Sequence, residues 1–118
     1  MQLTWIKCER EEWCPFQTVN LNSDHFDNLQ GVYIIWHGGK NPATVRIGQG
    51  MIKERIQAHR NEPTILAYAQ YSLFVTWANV APPFRDGIER FLAETLKPKV
   101  GEAFPQAPSI AVNLPWQQ

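Results

Sequence analysis

The sequence predicts an α+β fold, a small antiparallel sheet of mainly three strands flanked by helices. Three observations predict it. Gly31-Val32-Tyr33-Ile34-Ile35-Trp36 is a β-branched and aromatic run of the kind that fills strands. A turn cluster, Gly38 to Pro42, separates it from a second strand-like run at 43–48, so the two pair as a hairpin. Two stretches with helical spacing follow, one directly after the hairpin and one after a third apolar run at 71–80.

Each element has its own reason. Residues 1–29 have loose patterning and several aromatic residues, and read as an irregular cover. Residues 3–8 form a short strand or a cap over the core in this reading. Gly48 and Gly50 let the chain leave the sheet tightly after the second strand. A helix over roughly 51–60 puts Ile52 and Ile56 on the core face and Arg55 and His59 together on the adjacent face, because residues four apart share a face. Asn61-Glu62-Pro63 ends it, and a short helix follows at about 63–70. Pro82-Pro83 breaks the chain before a helix at 84–96 whose apolar stripe is Ile88, Phe91, Leu92 and Leu96. The proline-rich tail from 99 to 118 is expected to be extended and to wrap the body, with 1–29 and 101–118 as the peripheral segments. The whole chain of 118 residues reads as one domain with its core at about 30–100.

Composition excludes some classes. The hydrophobic share of 44% supplies a core, and the charged share of 19% rules out a disordered polyelectrolyte. Net charge is zero, which argues against a general polyanion binder. The charge is uneven: residues 31–60 carry +4, and residues 1–30 carry −3. The basic segment therefore coincides with the hairpin and the first helix. Such a patch suits phosphate. No leader sequence or membrane-length apolar run is seen, so a cytoplasmic protein without membrane association is expected, with Cys8 and Cys14 as reduced thiols. Two cysteines at this spacing do not make a zinc site.

Phosphodiester hydrolysis needs an activated water, donors for the phosphate oxygens and help for the leaving oxygen. Tyr33 can position or deprotonate water, Arg55 offers a planar fork of donors, and Glu89 can hold one divalent cation. Taken singly, each residue also has a plain reading. Tyr33 fits a core aromatic, Arg55 an ion pair with Glu89 or Glu62, His59 a helix-end charge, and Glu89 a carboxylate favoured in the first turn of its helix. Glu94 lies about 140° around the same helix, so only one of the two glutamates can face the site.

Taken in order, these elements resemble the GIY-YIG endonuclease domain. Gly31-Val32-Tyr33 matches the first motif with valine for isoleucine, and Arg46-Ile47-Gly48 stands where the family has Tyr-Ile-Gly. Arg55 and His59 look like the helix segment that carries the family's arginine, and Glu89 looks like its later glutamate, followed by Pro98. The resemblance covers roughly residues 30–100. It implies a metal-dependent nuclease using Mg²⁺ or Mn²⁺, acting on nucleic acid and most commonly DNA. Its catalytic set here is Tyr33, Arg46, Arg55, His59 and Glu89, with Glu89 as metal ligand. Lys40, Lys53 and Arg60 are the candidate nucleic-acid contacts. Two departures stand out: Arg46 replaces the second tyrosine, and Asn113 is the sole asparagine after Pro98. The alternative is a degenerate domain of the same fold that binds nucleic acid or a protein partner, or acts as a homodimer. An exposed patch of Trp5, Trp13 and Trp116 would serve a protein partner.

Overall fold

A computed structural model describes residues 1–101 and 103–116. One antiparallel sheet of four strands forms its centre, in the order β1-β4-β2-β3. The strands are β1 (Cys14–Pro15), β2 (Gln30–His37), β3 (Ala43–Met51) and β4 (Leu73–Asn79). The helices are α1 (Ile52–His59), α2 (Pro63–Leu66) and α3 (Pro82–Leu96). The class is α+β, as expected, but the sheet has four strands rather than three. The extra strand comes from the N-terminal cover. It is two residues long and includes Pro15, which a sheet accepts only at an edge. Phe16 N donates to Leu73 O, Ile6 N donates to Trp77 O, and the Thr76 hydroxyl donates to Ile6 O. Residues 3–8 thus cap the outer side of β4 without forming a strand of their own.

β2 is central and both of its faces are covered, so residues 31–37 are all buried and show no alternation. Tyr33, Ile35, Val75 and Trp77 pack on one face with Ile52 and Ile56 of α1 and Ile65 of α2. Val32, Ile34, Trp36 and Ile47 pack on the other with Ile88 and Leu92 of α3. Gly31 is required by the approach of β4: a Cβ there would fall 1.9 Å from Ala78 O. Opposite Ile35 stands Arg46, but opposite Trp36 stands Thr44. Val45 is therefore the extra residue of a bulge, which bends β3 beside Arg46.

Several expectations need correcting. Pro82 and Pro83 open α3 instead of breaking the chain before it, because proline suits the first helical turn, where no intrahelical N–H bond is lost. Gly48 lies within β3, and only Gly50, with φ +125°, makes the exit toward α1. Cys8 and Cys14 are joined as a disulfide rather than free. The turn at 9–11 has left-handed backbone at Arg10 and Glu11 and brings the two Cα atoms to 5.0 Å, within disulfide range. The described residues from Lys99 onward lie against the body. Lys99 N donates to Thr44 O, Val100 N to Val45 O and Ile110 N to Gly87 O. Among the described residues no helix is long and apolar enough to cross a membrane.

Candidate active site

The site is built around the outer strand β3. Tyr33 lies mid-β2 on the α1 face, directly opposite Gly48. A Cβ at Gly48 would fall 2.2 Å from the Tyr33 hydroxyl, so the glycine of Arg46-Ile47-Gly48 makes room for that oxygen. Gly50 turns the chain into α1, and the stem of Arg55 lies over it, within 3.7 Å of a Cβ built there. One turn further along α1, His59 is fully buried beneath Tyr33.

These side chains form a hydrogen-bonded chain. The Tyr33 hydroxyl is 2.5 Å from His59 Nε2, and His59 Nδ1 is 2.9 Å from Glu62 Oε1. A carboxylate only accepts, so Nδ1 carries the proton and donates to Glu62, Nε2 accepts, and Tyr33 donates. The electrostatics agree with these roles. Burial raises the Tyr33 pKa, against the lowering effect of Arg55 and Arg46. Burial also lowers the His59 pKa, partly countered by Glu62. A protonated phenol therefore faces a neutral imidazole.

Two guanidiniums flank the phenol. Arg46 and Arg55 both favour the Tyr33 phenolate by their charge. Neither makes an ion pair among the described residues, so the Arg55 pairing with Glu62 or Glu89 is not present. Arg46 Nε is buried without a hydrogen-bond partner, alone among the side-chain polar atoms of the described residues. Gly101, with φ +103°, makes room for this guanidinium, since a Cβ there would fall 2.6 Å from Arg46 Nη1.

Glu89 approaches from the other face. It lies on α3 and is buried, and its Oε1 accepts from Gln49 Nε2 at 2.9 Å. The same amide nitrogen donates to Asp86 Oδ1 at 2.8 Å. Alternation along β3 puts Gly48 on the α1 face and Gln49 on the α3 face. The Tyr33 chain and the Glu89 carboxylate form separate hydrogen-bonded groups. Arg46 and Arg55 act electrostatically on both. Burial raises the Glu89 pKa, and Asp86 adds to this, against the Gln49 bond and the two arginines. The Glu89 and Asp86 carboxylates, which the Gln49 NH2 group bridges, are oxygen donors suited to a hard cation that keeps most of its waters. No group of three or more His, Cys, Asp or Glu side chains gathers among the described residues.

The remaining candidates fall outside this centre. Arg60 is engaged within the fold: its Nε and Nη2 donate to Phe16 O and Val19 O and tie the N-terminal cover to α1. Lys40 is exposed in the hairpin turn beyond His37, ~13 Å or more along β2 from Tyr33. Lys53 is two residues, about 200°, from Arg55 around α1 and does not share its face. Asn113 holds Leu3, accepting from its N–H and donating to its carbonyl, which joins the two ends of the chain. Glu62, Gln49 and Asp86 are the participants the sequence reading did not assign. The His59-x-x-Glu62 spacing was the one readable signal, since residues three apart meet on a helical turn. A cavity of about 660 Å³ lies beside β1, at the edge of the sheet opposite β3, and takes no part.

Comparison with protein-family models, curated proteins and solved structures returns no match.

Proposed function

We propose that the protein is a metal-dependent phosphodiesterase of the GIY-YIG type that cleaves nucleic acid, DNA in the first instance. The observation that carries this reading is the Tyr33–His59–Glu62 chain with two unpaired guanidiniums beside its phenol. A buried donor without a partner, such as Arg46 Nε, costs ~1–3 kcal/mol. Such a cost is retained where a ligand supplies the acceptor, and a phosphate oxygen is the matching acceptor.

The chemistry follows from the residues. Water attacks phosphorus, its proton passes to the Tyr33 oxygen, and the Tyr33 proton passes to His59 Nε2. Glu62 stabilises the imidazolium, as the third member of a nucleophile–base–carboxylate chain does. Arg46 and Arg55 offer donors to the phosphate oxygens as charge builds. The P–O ester bond breaks and the leaving oxygen takes a proton from solvent. Glu89, with Asp86, would hold Mg²⁺ or Mn²⁺, which when bound supplies Lewis acidity at the leaving oxygen.

One observation favours a second reading. Tyr33 is only 1% exposed, which suits a domain that binds nucleic acid or a protein partner without cleaving it. The Cys8–Cys14 bond suits an oxidising compartment, in contrast to the cytoplasmic location expected from the sequence.

Cleavage of plasmid, single-stranded DNA and structured RNA, with Mg²⁺ or Mn²⁺ and with EDTA, tests the proposal. Wild type should cleave only with metal, and Glu89→Ala should lose that activity while keeping its fold. A folded wild type inert on every substrate would leave the binding reading in its place.

A further inference from the structure

A cavity of about 570 Å³ opens where the end of α3 meets the start of β3. Its walls include Trp36, Trp116, Thr44, Thr95, Lys97 and Lys99. Trp116 is 40% exposed and stands edge-on to Trp36, with centroids 5.3 Å apart. Trp36 is held from behind by stacking on Phe74 at 5.7 Å and by the edge of Trp13 at 5.4 Å. The aromatic wall is thus supported on the inside and open on the outside. Of the three tryptophans expected to form an exposed patch, only Trp116 does so. Trp13 packs on Trp36, and Trp5 Nε1 donates to Asn113 O.

The two lysines are anchored by their backbones. Lys97 takes the left-handed conformation that ends α3, and its N–H donates to Ala93 O. Lys99 N donates to Thr44 O on β3. Neither ammonium has an ion-pair partner among the described residues, and no described lining residue is a carboxylate. An open aromatic face beside two unpaired ammoniums and two hydroxyls matches a nucleobase with its flanking phosphates. An apolar peptide would leave the lysines unused, and an acidic peptide would leave the tryptophan unused.

We infer that this cavity takes an unpaired nucleotide of the substrate, its base stacked on Trp116 and its phosphates on Lys97 and Lys99. The inference deepens the phosphodiesterase reading and rests on it. Trp36 packs on the α3 face, and Thr95 lies six residues from Glu89 on α3, ~9 Å along the helix axis, so the bound nucleotide lies on the side of the sheet from which Glu89 approaches. A paired duplex keeps its bases stacked inside. The substrate class is therefore single-stranded or locally unpaired nucleic acid.

The test is equilibrium binding of a labelled short oligothymidylate to the full-length protein in EDTA, beside a matched duplex and a poly-glutamate peptide. Wild type should bind the single strand well above the duplex. Trp116→Ala should weaken that binding about tenfold or more, and Trp116→Phe should restore most of it. Lys97→Ala with Lys99→Ala should reduce the slope of log affinity against log salt by about 1.4. Unchanged single-strand binding in Trp116→Ala would overturn the inference, as would preference for the duplex. Displacement of the oligonucleotide by the acidic peptide at equal concentration would also overturn it, assigning the cavity to a protein partner. Metal-dependent cleavage by the same preparations is read separately. Trp116-dependent binding without cleavage would sink the nuclease reading and leave the nucleotide site standing.

Discussion

Tyr33→Phe is expected to lower the rate of metal-dependent cleavage by about 10³-fold, within the range for loss of a positioned acid–base group. The phenol is the one group that can connect an attacking water to His59. Its hydroxyl is 2.5 Å from Nε2, and the ring is locked between the Gly48 strand and α1. Phenylalanine keeps the ring and removes only the proton path. It also leaves Nε2 without its donor in a fully buried position, at a cost of ~1–2 kcal/mol. The variant should therefore remain folded, with a modestly lower unfolding midpoint, while nearly all activity disappears. Cleavage by a folded Tyr33→Phe protein within a few-fold of wild type would mean that Tyr33 is only a core aromatic with a satisfied hydroxyl.

Gly48→Ala should damage both stability and activity. The added methyl carbon would lie 2.2 Å from the Tyr33 hydroxyl oxygen and 2.5 Å from Cζ, inside any real contact distance. Relief requires moving the ring or the strand. The ring is 1% exposed and packs against His59 and its core neighbours, so it has little room to yield. Overpacking of this kind costs ~1–3 kcal/mol. Any shift of the hydroxyl also breaks its bond to His59, so cleavage should fall by ~10²-fold or more even where the protein is folded. Urea unfolding and a cleavage assay on one preparation check both halves. A variant with wild-type stability would contradict the packing of Tyr33 against β3.

Part of this arrangement is legible in the sequence. The hairpin of β2 and β3, the following helix and the pairing of Arg55 with His59 on it are local features. They follow from β-branched runs, a turn cluster and four-residue spacing, which need no knowledge of the rest of the chain. The core role of Ile52 and Ile56 is legible for the same reason. β1 is not legible, because two residues ending in proline carry no strand pattern. The disulfide is not legible because its loop uses left-handed backbone at Arg10 and Glu11, where no glycine marks the turn.

The site itself is legible only where its parts are close in sequence. Tyr33, Arg46, Arg55 and His59 gather because a hairpin feeds directly into α1. The bond from Gln49 to Glu89 and Asp86 depends on how α3 crosses β3, which no local pattern states. Arg60 looks like a free cation in the sequence. In the fold, two carbonyls of the N-terminal cover need a donor, and Arg60 supplies it. Burial, too, is tertiary information. It keeps His59 neutral and Tyr33 protonated, and nothing in the sequence of α1 reveals it.

Arg46, with its unpartnered buried Nε, is expected to serve cleavage as a donor to phosphate, and cleavage rates of wild type and Arg46→Tyr, with Mn²⁺ and matched for folded protein, test this most directly. The expected result is a wild type that cleaves and a variant slower by ~10²-fold, the scale of losing one charge-stabilising donor. An inert wild type beside an active Arg46→Tyr would contradict that role and leave the binding reading in its place.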